Sequence, residues 1–211
     1  MKKLRFGLFE NAQTNDSGTS TWRHPDSERH NFDTLDYWLD IARMCEDAKL
    51  DFLFLADAWG WADVKGKRPD ICDTEGLDLP RLDPAIVGAA LLSYTDKLGI
   101  VMTGSTLLEQ PYAFARRMQS LDHLSKGRIG WNVVTTGTAE TAVAAFGVPM
   151  VAHDERYNMA DDFMALVYKL FEGAWERDAL ERNKAGRYAN PDKVHRIAHD
   201  GPYFRSHGFG N

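Results

Sequence analysis

Only two cysteines, Cys45 and Cys72, occur in the 211 residues, and they form no CxxC pair. Two thiols do not build a disulfide framework, and they suit a reducing compartment. No uninterrupted apolar run approaches the length of a membrane span. The opening "MKKLRFGLFEN" starts with two lysines, yet Glu10 and Asn11 interrupt its apolar stretch before it reaches signal-peptide length. A cytoplasmic protein with no membrane partner is therefore expected. Positive charge is also scarce: 25 Lys and Arg stand against 31 Asp and Glu, a net charge of -6. With no basic run interleaved with aromatics, no nucleic-acid partner is expected. GxGxxG, Walker A and GxSxG motifs are missing, which removes the usual support for dinucleotide-binding, nucleoside-triphosphatase and serine-hydrolase readings. "HRIAH" places His195 and His199 four apart, as in a helical metal pair. It lacks the glutamate of H-E-x-x-H and an evident third ligand, so no metal site is expected.

What is present describes an ordinary globular protein, 44% hydrophobic and 27% charged. The chain is long enough for one sizeable core, or for a share in a larger one. Short apolar runs at 4–9, 51–57, 98–105 and 128–135 read as buried strands, apolar on both faces as in a parallel sheet. Helical patterns alternate with them. Residues 33–49 gather Leu35, Trp38, Leu39, Ala42 and Cys45 on one face, with Asp33 as the expected N-cap. Asp83 followed by Pro84 opens a second helix, Pro111 a third that Gly127 is placed to end, and a fourth starts near Asp154. The predicted order is βαβαβαβα. Three stretches interrupt the rhythm after strand ends: 10–31, 58–82 and 136–153. Loops that long are uncommon unless they carry function. Residues 176–211 lose apolar periodicity and read as an irregular excursion or small hairpin.

The strand "RIGWNVVT" contains a glycine and an asparagine that stability alone does not require. Side chains alternate along a strand, so Gly130, Asn132 and Val134 share one face, and Ile129, Trp131 and Val133 the other. With the bulkier set toward the helices, Asn132 points inward, offering a donor and an acceptor where Gly130 permits close approach. The competing reading is that Asn132 satisfies a neighbouring buried group.

"TWRHP" (21–25), "FLAD" (54–57), "TGSTLLEQPYAFARRMQSLDHLSKGRIGWNVVTT" (103–136), "FG" (146–147) and "HDERYNMADDF" (153–163), taken in order, resemble the bacterial-luciferase-like flavin monooxygenases. The match is to their nitrilotriacetate and dibenzothiophene-sulfone monooxygenase branch. The resemblance implies an α/β fold of the TIM (β/α)8 barrel type. Residues 1–211 would then be the N-terminal part of a single barrel domain, with about the first four βα units present. It further implies reduced FMN taken from a separate NAD(P)H-dependent flavin reductase, with O2 activated as a C4a-peroxyflavin to oxygenate a small organic substrate. By matching position, Asp57, Thr103, His153 and Tyr157 are implied FMN contacts, and Asn132 and Arg156 neighbours of the same site. His24 in "TWRHP" is the implied catalytic group, placed to donate to the flavin adduct or to substrate; an ordinary surface histidine is the competing reading.

The chain also departs from that family. A full barrel needs about 250 residues. Ala145 stands where the family commonly has asparagine. The tail stops before the strand whose serine helps bind the FMN phosphate in relatives. Two alternatives therefore accompany the monooxygenase reading: a deazaflavin-dependent oxidoreductase of the same fold, and a truncated, non-catalytic oligomeric paralogue. Four strands leave two open sheet edges, which recruit partners, so a homo-oligomer is expected.

Overall fold

Four strands alternate with helices along the chain and line up as one sheet. The structure is a computed structural model describing residues 3–15 and 20–210, so residues 16–19 of the loop at 10–31 lie outside it. The strands are β1 (Gly7–Asn11), β2 (Phe52–Ala56), β3 (Gly99–Ser105) and β4 (Ile129–Val134), in spatial order β1-β2-β3-β4. β1 and β2 run parallel with Gly7 opposite Phe52, and β2 and β3 run parallel with Phe52 opposite Gly99. The neighbourhood of β3 and β4 begins where Ile100 N donates to Arg128 O at 2.8 Å. The helices are α1 (Leu35–Asp47), α2 (Asp70–Thr74), α3 (Pro84–Tyr94), α4 (Pro111–Ser125), α5 (Ala139–Phe146) and α6 (His153–Glu172). An antiparallel hairpin of β5 (Ile197–Asp200) and β6 (Arg205–Gly208) follows. The chain divides into two compact units, Met1–Gly104 with Leu124–Met150 and Ser105–His123 with Val151–Asn211. Each is described by itself.

In the first unit, Leu53, Leu55, Ile100 and Met102 are fully buried and mark the helix-covered face of the sheet. Gly88 of α3 lies directly against Ile100: a Cβ there would sit 3.1 Å from Ile100 Cγ2. α1 buries Trp38, Leu39, Ile41, Ala42 and Cys45. The Asp83–Pro84 start of α3 forms as its chemistry dictates, the Asp83 carboxylate accepting from Ala85 N at 2.7 Å and Ile86 N at 3.3 Å. α1 departs from expectation. It starts at Leu35, after Thr34, because the Thr34 hydroxyl donates backward to Asn31 O at 2.8 Å and no side chain caps the helix. The strands also differ from fully buried ones. β1 and β4 are largely half-exposed, and Phe9 is 50% exposed. They are the two edges, and Phe9 and Phe54 meet edge-on at 5.1 Å on the face opposite Leu53 and Leu55. The 136–153 stretch is not only loop: it folds α5, ended by Gly147 in the left-handed region at φ 66°.

In the second unit, α6 packs Leu166 and Leu170 with Ala115, Ala174 and Ile197, flanked by Phe171, Trp175 and Phe204. Phe163 stands between Phe114 and Phe204 at centroid distances of 5.7 and 5.5 Å. The hairpin is fastened to α6 by Asp162. One carboxylate oxygen accepts from His199 Nε2 at 2.8 Å, and the other from Tyr203 N at 2.9 Å and Phe204 N at 2.8 Å. A Cβ on Gly201 would overlap that carboxylate, so the turn needs glycine there.

Candidate functional site

The face of the first unit's sheet opposite Leu53 and Leu55 carries the polar groups. Thr103 on β3 is buried, and its hydroxyl donates to Leu55 O at 3.1 Å. The same hydroxyl accepts from Asn132 Nδ2 at 3.1 Å. Thr103 and Asn132 therefore form one cross-strand unit. Gly130, two residues before Asn132, faces Val101: a Cβ there would lie 3.1 Å from Val101 Cγ2. Gly130 and Asn132 thus share a face with Val101 and Thr103. On the neighbouring residue, Trp131 Nε1 donates to Gly104 O at 3.1 Å.

Asp57 follows directly on β2, with its side chain only 8% exposed. Arg81 Nη1 stands 3.6 Å from Asp57 Oδ1. Burial pushes the Asp57 carboxyl above the usual carboxylate range, with Arg81 and the Ala58 backbone N–H pulling against it and Asp83 adding to the rise. Burial likewise lowers the Arg81 guanidinium, with Asp57 and Asp78 opposing. Glu10, at the end of β1, is engaged elsewhere, pairing with Arg29 at 2.6 Å.

The two long loops are clasped to each other. Asn15 is completely buried and donates to Glu75 O, as does Trp22 Nε1 at 3.0 Å. Arg23 grips the Glu75 carboxylate through Nε at 2.8 Å and Nη2 at 3.0 Å, and lies 4.5 Å over the Trp22 ring. Leu82 N donates to Ala12 O at 2.7 Å. His24 is carried by this clasp with its side chain 68% exposed, and its Nδ1 accepts from Asp26 N at 3.2 Å. No contact joins His24 to Asp57, Thr103 or Asn132 among the described residues.

In the second unit, His153 and Tyr157 stand one turn apart at the start of α6, their rings 5.3 Å apart. Both are largely exposed, while Arg156 between them is buried. The helix lacks a side-chain cap at Ala152, so its first N–H groups are available to an anion. The acidic residues of that turn are engaged: Asp154 bonds His153 Nδ1 at 2.9 Å, and Glu155 accepts from the Tyr203 hydroxyl and from Asn158 at 2.9 Å. His195 and His199 do not converge. His195 bonds Glu176 at 2.8 Å, and His199 lies on β5 against Asp162. Among the described residues no group of three or more His, Cys, Asp or Glu is placed to hold a metal.

The structure thus joins Thr103 to Asn132 directly and places Asp57 at the adjoining strand end, while His153, Arg156 and Tyr157 form a separate group on α6. Sequence reasoning missed Arg81, the nearest cation to Asp57, because a lone arginine in a long loop carries no pattern. It missed Asp162 although "ADDF" was in view, since its partners are backbone N–H groups some forty residues on.

The luciferase-like monooxygenase family matches residues 4–209, and the chain belongs to that family. It is 41% identical to the long-chain alkane monooxygenase of Geobacillus thermodenitrificans over 98% of this chain and 47% of that protein. It is 38% identical to nitrilotriacetate monooxygenase component A of Aminobacter aminovorans over 98% of this chain and 46% of that protein. Among solved structures, a riboflavin lyase with modified FMN and substrate riboflavin is 83% identical, with a TM-score of 0.98 over 100% of this chain and 47% of that one. The chain therefore spans about half the length of the relatives it matches. The fold is the corresponding part of the luciferase-like barrel, an incomplete barrel with a four-stranded sheet. No helix among the described residues is long and apolar enough to cross a membrane.

Proposed function

We propose that this chain works in a flavin-dependent oxygenase that receives reduced FMN from a separate NAD(P)H-dependent reductase and acts on riboflavin. The supporting observation is the 83% identity to a riboflavin lyase that holds modified FMN and riboflavin. FMN, when bound, supplies the activation of O2 at its C4a position. The residues present fit such a group. An isoalloxazine ring presents N–H and carbonyl groups along one edge. Asn132 uses one N–H of its amide on Thr103, which leaves the second N–H and the carbonyl oxygen to meet the ring edge. Asp57 offers a desolvated carboxyl that accepts or, protonated, donates. Within the second unit, taken by itself, the uncapped start of α6 with His153 and Tyr157 suits an anionic group such as a phosphate, and Arg156 supplies charge in the same turn. Trp59 and Trp61 lie in the unit that carries Asp57, and their flat rings suit a second flavin as substrate. His24 moves the proton at the substrate in this reading.

Two measurements test the proposal. FMN quenching titrations should show binding that Asp57→Ala weakens by about 1–3 kcal/mol, or roughly 5- to 150-fold; unchanged affinity removes Asp57. With reductase, NADH, FMN and O2, riboflavin loss followed by mass spectrometry should depend on both O2 and the chain. Turnover with reduced deazaflavin under anaerobic conditions would overturn the assignment. We further propose that the chain self-associates, because among the described residues β1 and β4 have a strand neighbour on one side only and Phe6, Phe9 and Val133 are exposed there. Light scattering should find a species larger than one chain, and a monodisperse single chain would refute it.

A further inference from the structure

We propose that Arg81 is a positioning residue for Asp57: its guanidinium, 3.6 Å from Oδ1, holds the buried carboxyl as an oriented anion for the flavin contact described above. This rests on the flavin reading, and the test below separates the two. Four observations carry it. The separation is too long for a hydrogen bond, so Arg81 acts on Asp57 through charge, while the Ala58 backbone N–H is the hydrogen-bond donor to the carboxylate. Both side chains are buried, Asp57 to 8% and Arg81 to 15% exposure, so the pair is little screened by solvent.

Arg81 is also fixed from behind. Its Nε donates to Asp78 O at 2.6 Å, and its backbone bridges to Gln13. Asp78 is fixed in turn, its carboxylate accepting from Ala62 N at 2.8 Å. The two long loops thus converge to aim one guanidinium at the end of β2.

Among the described residues no other cation is placed to take over. The charged groups around the pair are Asp78, Arg68 and Asp83. Arg68 is committed to Asp73 at 2.8 Å and Leu77 O at 2.7 Å, with its remaining nitrogen 3.7 Å from Asp78. Asp83 is the N-cap of α3 and repels Asp57. Without Arg81 the carboxyl faces burial and a second anion, and both favour its protonated form.

The sign follows from the direction of the shift. Burial raises the folded value of Asp57 above the ordinary carboxylate value. The folded chain therefore loses stability as pH rises from the ordinary value through the raised one, and is level beyond it. Neutralising Arg81 extends that window upward.

The test is a carboxyl-carbon NMR titration of Asp57 in the flavin-free chain, assigned with Asp57→Asn, alongside FMN affinity as a function of pH. In Arg81→Gln the Asp57 inflection should rise by roughly one pH unit or more, and in Arg81→Lys it should stay near wild type. The FMN profile should move by the same amount; a purely structural arginine would lower affinity evenly at every pH. In the wild-type chain the Arg81 guanidinium resonances should titrate with Asp57, a readout that needs no substitution. An Asp57 inflection unmoved in Arg81→Gln, or Arg81 resonances blind to it, overturns the inference. A moved inflection with an unmoved FMN profile also overturns it, leaving a structural ion pair. Absence of FMN binding by the wild-type chain overturns the flavin reading itself, while the apo titration still reports on the pair.

Discussion

Replacing Asp162 by alanine should destabilise the chain by about 3–5 kcal/mol, the usual cost of removing one partner from a buried charged cluster. The side chain is 6% exposed and is bonded to His199 and to the backbone of Tyr203 and Phe204. Alanine would leave an imidazole and two N–H groups without an acceptor in an apolar setting, while the β5–β6 hairpin lost its anchor to α6. Lys169 Nζ, 3.2 Å from His199 Nδ1, would then face the imidazole alone. Urea unfolding should show the loss as a lower midpoint, and amide exchange at Tyr203 and Phe204 should accelerate. A loss below about 1 kcal/mol would mean that the hairpin is held chiefly by Ile197 and Phe204 packing. Acid should reproduce part of the effect. Burial acts to raise the Asp162 carboxyl, but the N–H groups of Tyr203 and Phe204 and His199 outweigh it and hold it below the usual range. A lowered folded value means the contribution is complete above the ordinary carboxylate value and is lost as pH falls through the lowered one. Asp162→Asn should flatten that acid limb.

Trp38→Ala should cost the first unit a similar amount, about 3–5 kcal/mol for a fully buried aromatic. Trp38 is 1% exposed within α1, stands edge-on to Tyr37 at 5.2 Å, and donates Nε1 to Phe32 O at 2.5 Å. The substitution opens a cavity beneath the helix layer and strips a carbonyl of its donor. Trp38→Phe should recover the packing share and leave roughly 1–3 kcal/mol for the unmatched carbonyl. Thermal melts of the three proteins would rank them, and equal losses for phenylalanine and alanine would assign the whole effect to the hydrogen bond.

The elements that local chemistry dictates were readable before the structure. Asp83–Pro84 starts its helix, and the alternation in "RIGWNVVT" places Asn132 and Gly130 on one face, the face of Thr103 and Val101. The N-cap of α1 is Thr34, one residue after the expected Asp33, and it caps through no side-chain bond because its hydroxyl donates to Asn31 O. "TAETAVAAF" folds as α5 inside a stretch read as loop, and its alanines favour helix. The histidine spacing in "HRIAH" has no helical meaning, since His199 lies on a strand and His195 before it. Arg81 and Asp162 were out of reach for a different reason. Each acts on a partner distant along the chain, and only folding brings the two together.

The clasp between the loops at 10–31 and 58–82 has a consequence for how this scaffold diversifies. Glu75 receives Trp22, Arg23 and Asn15 from the opposite loop, so the fit of either segment is written partly in the other. A change of length in one alone would strand its partner's buried amide and charge. A graft between relatives should therefore exchange the two segments as a single cassette, since one that transplants only one imports half of a lock.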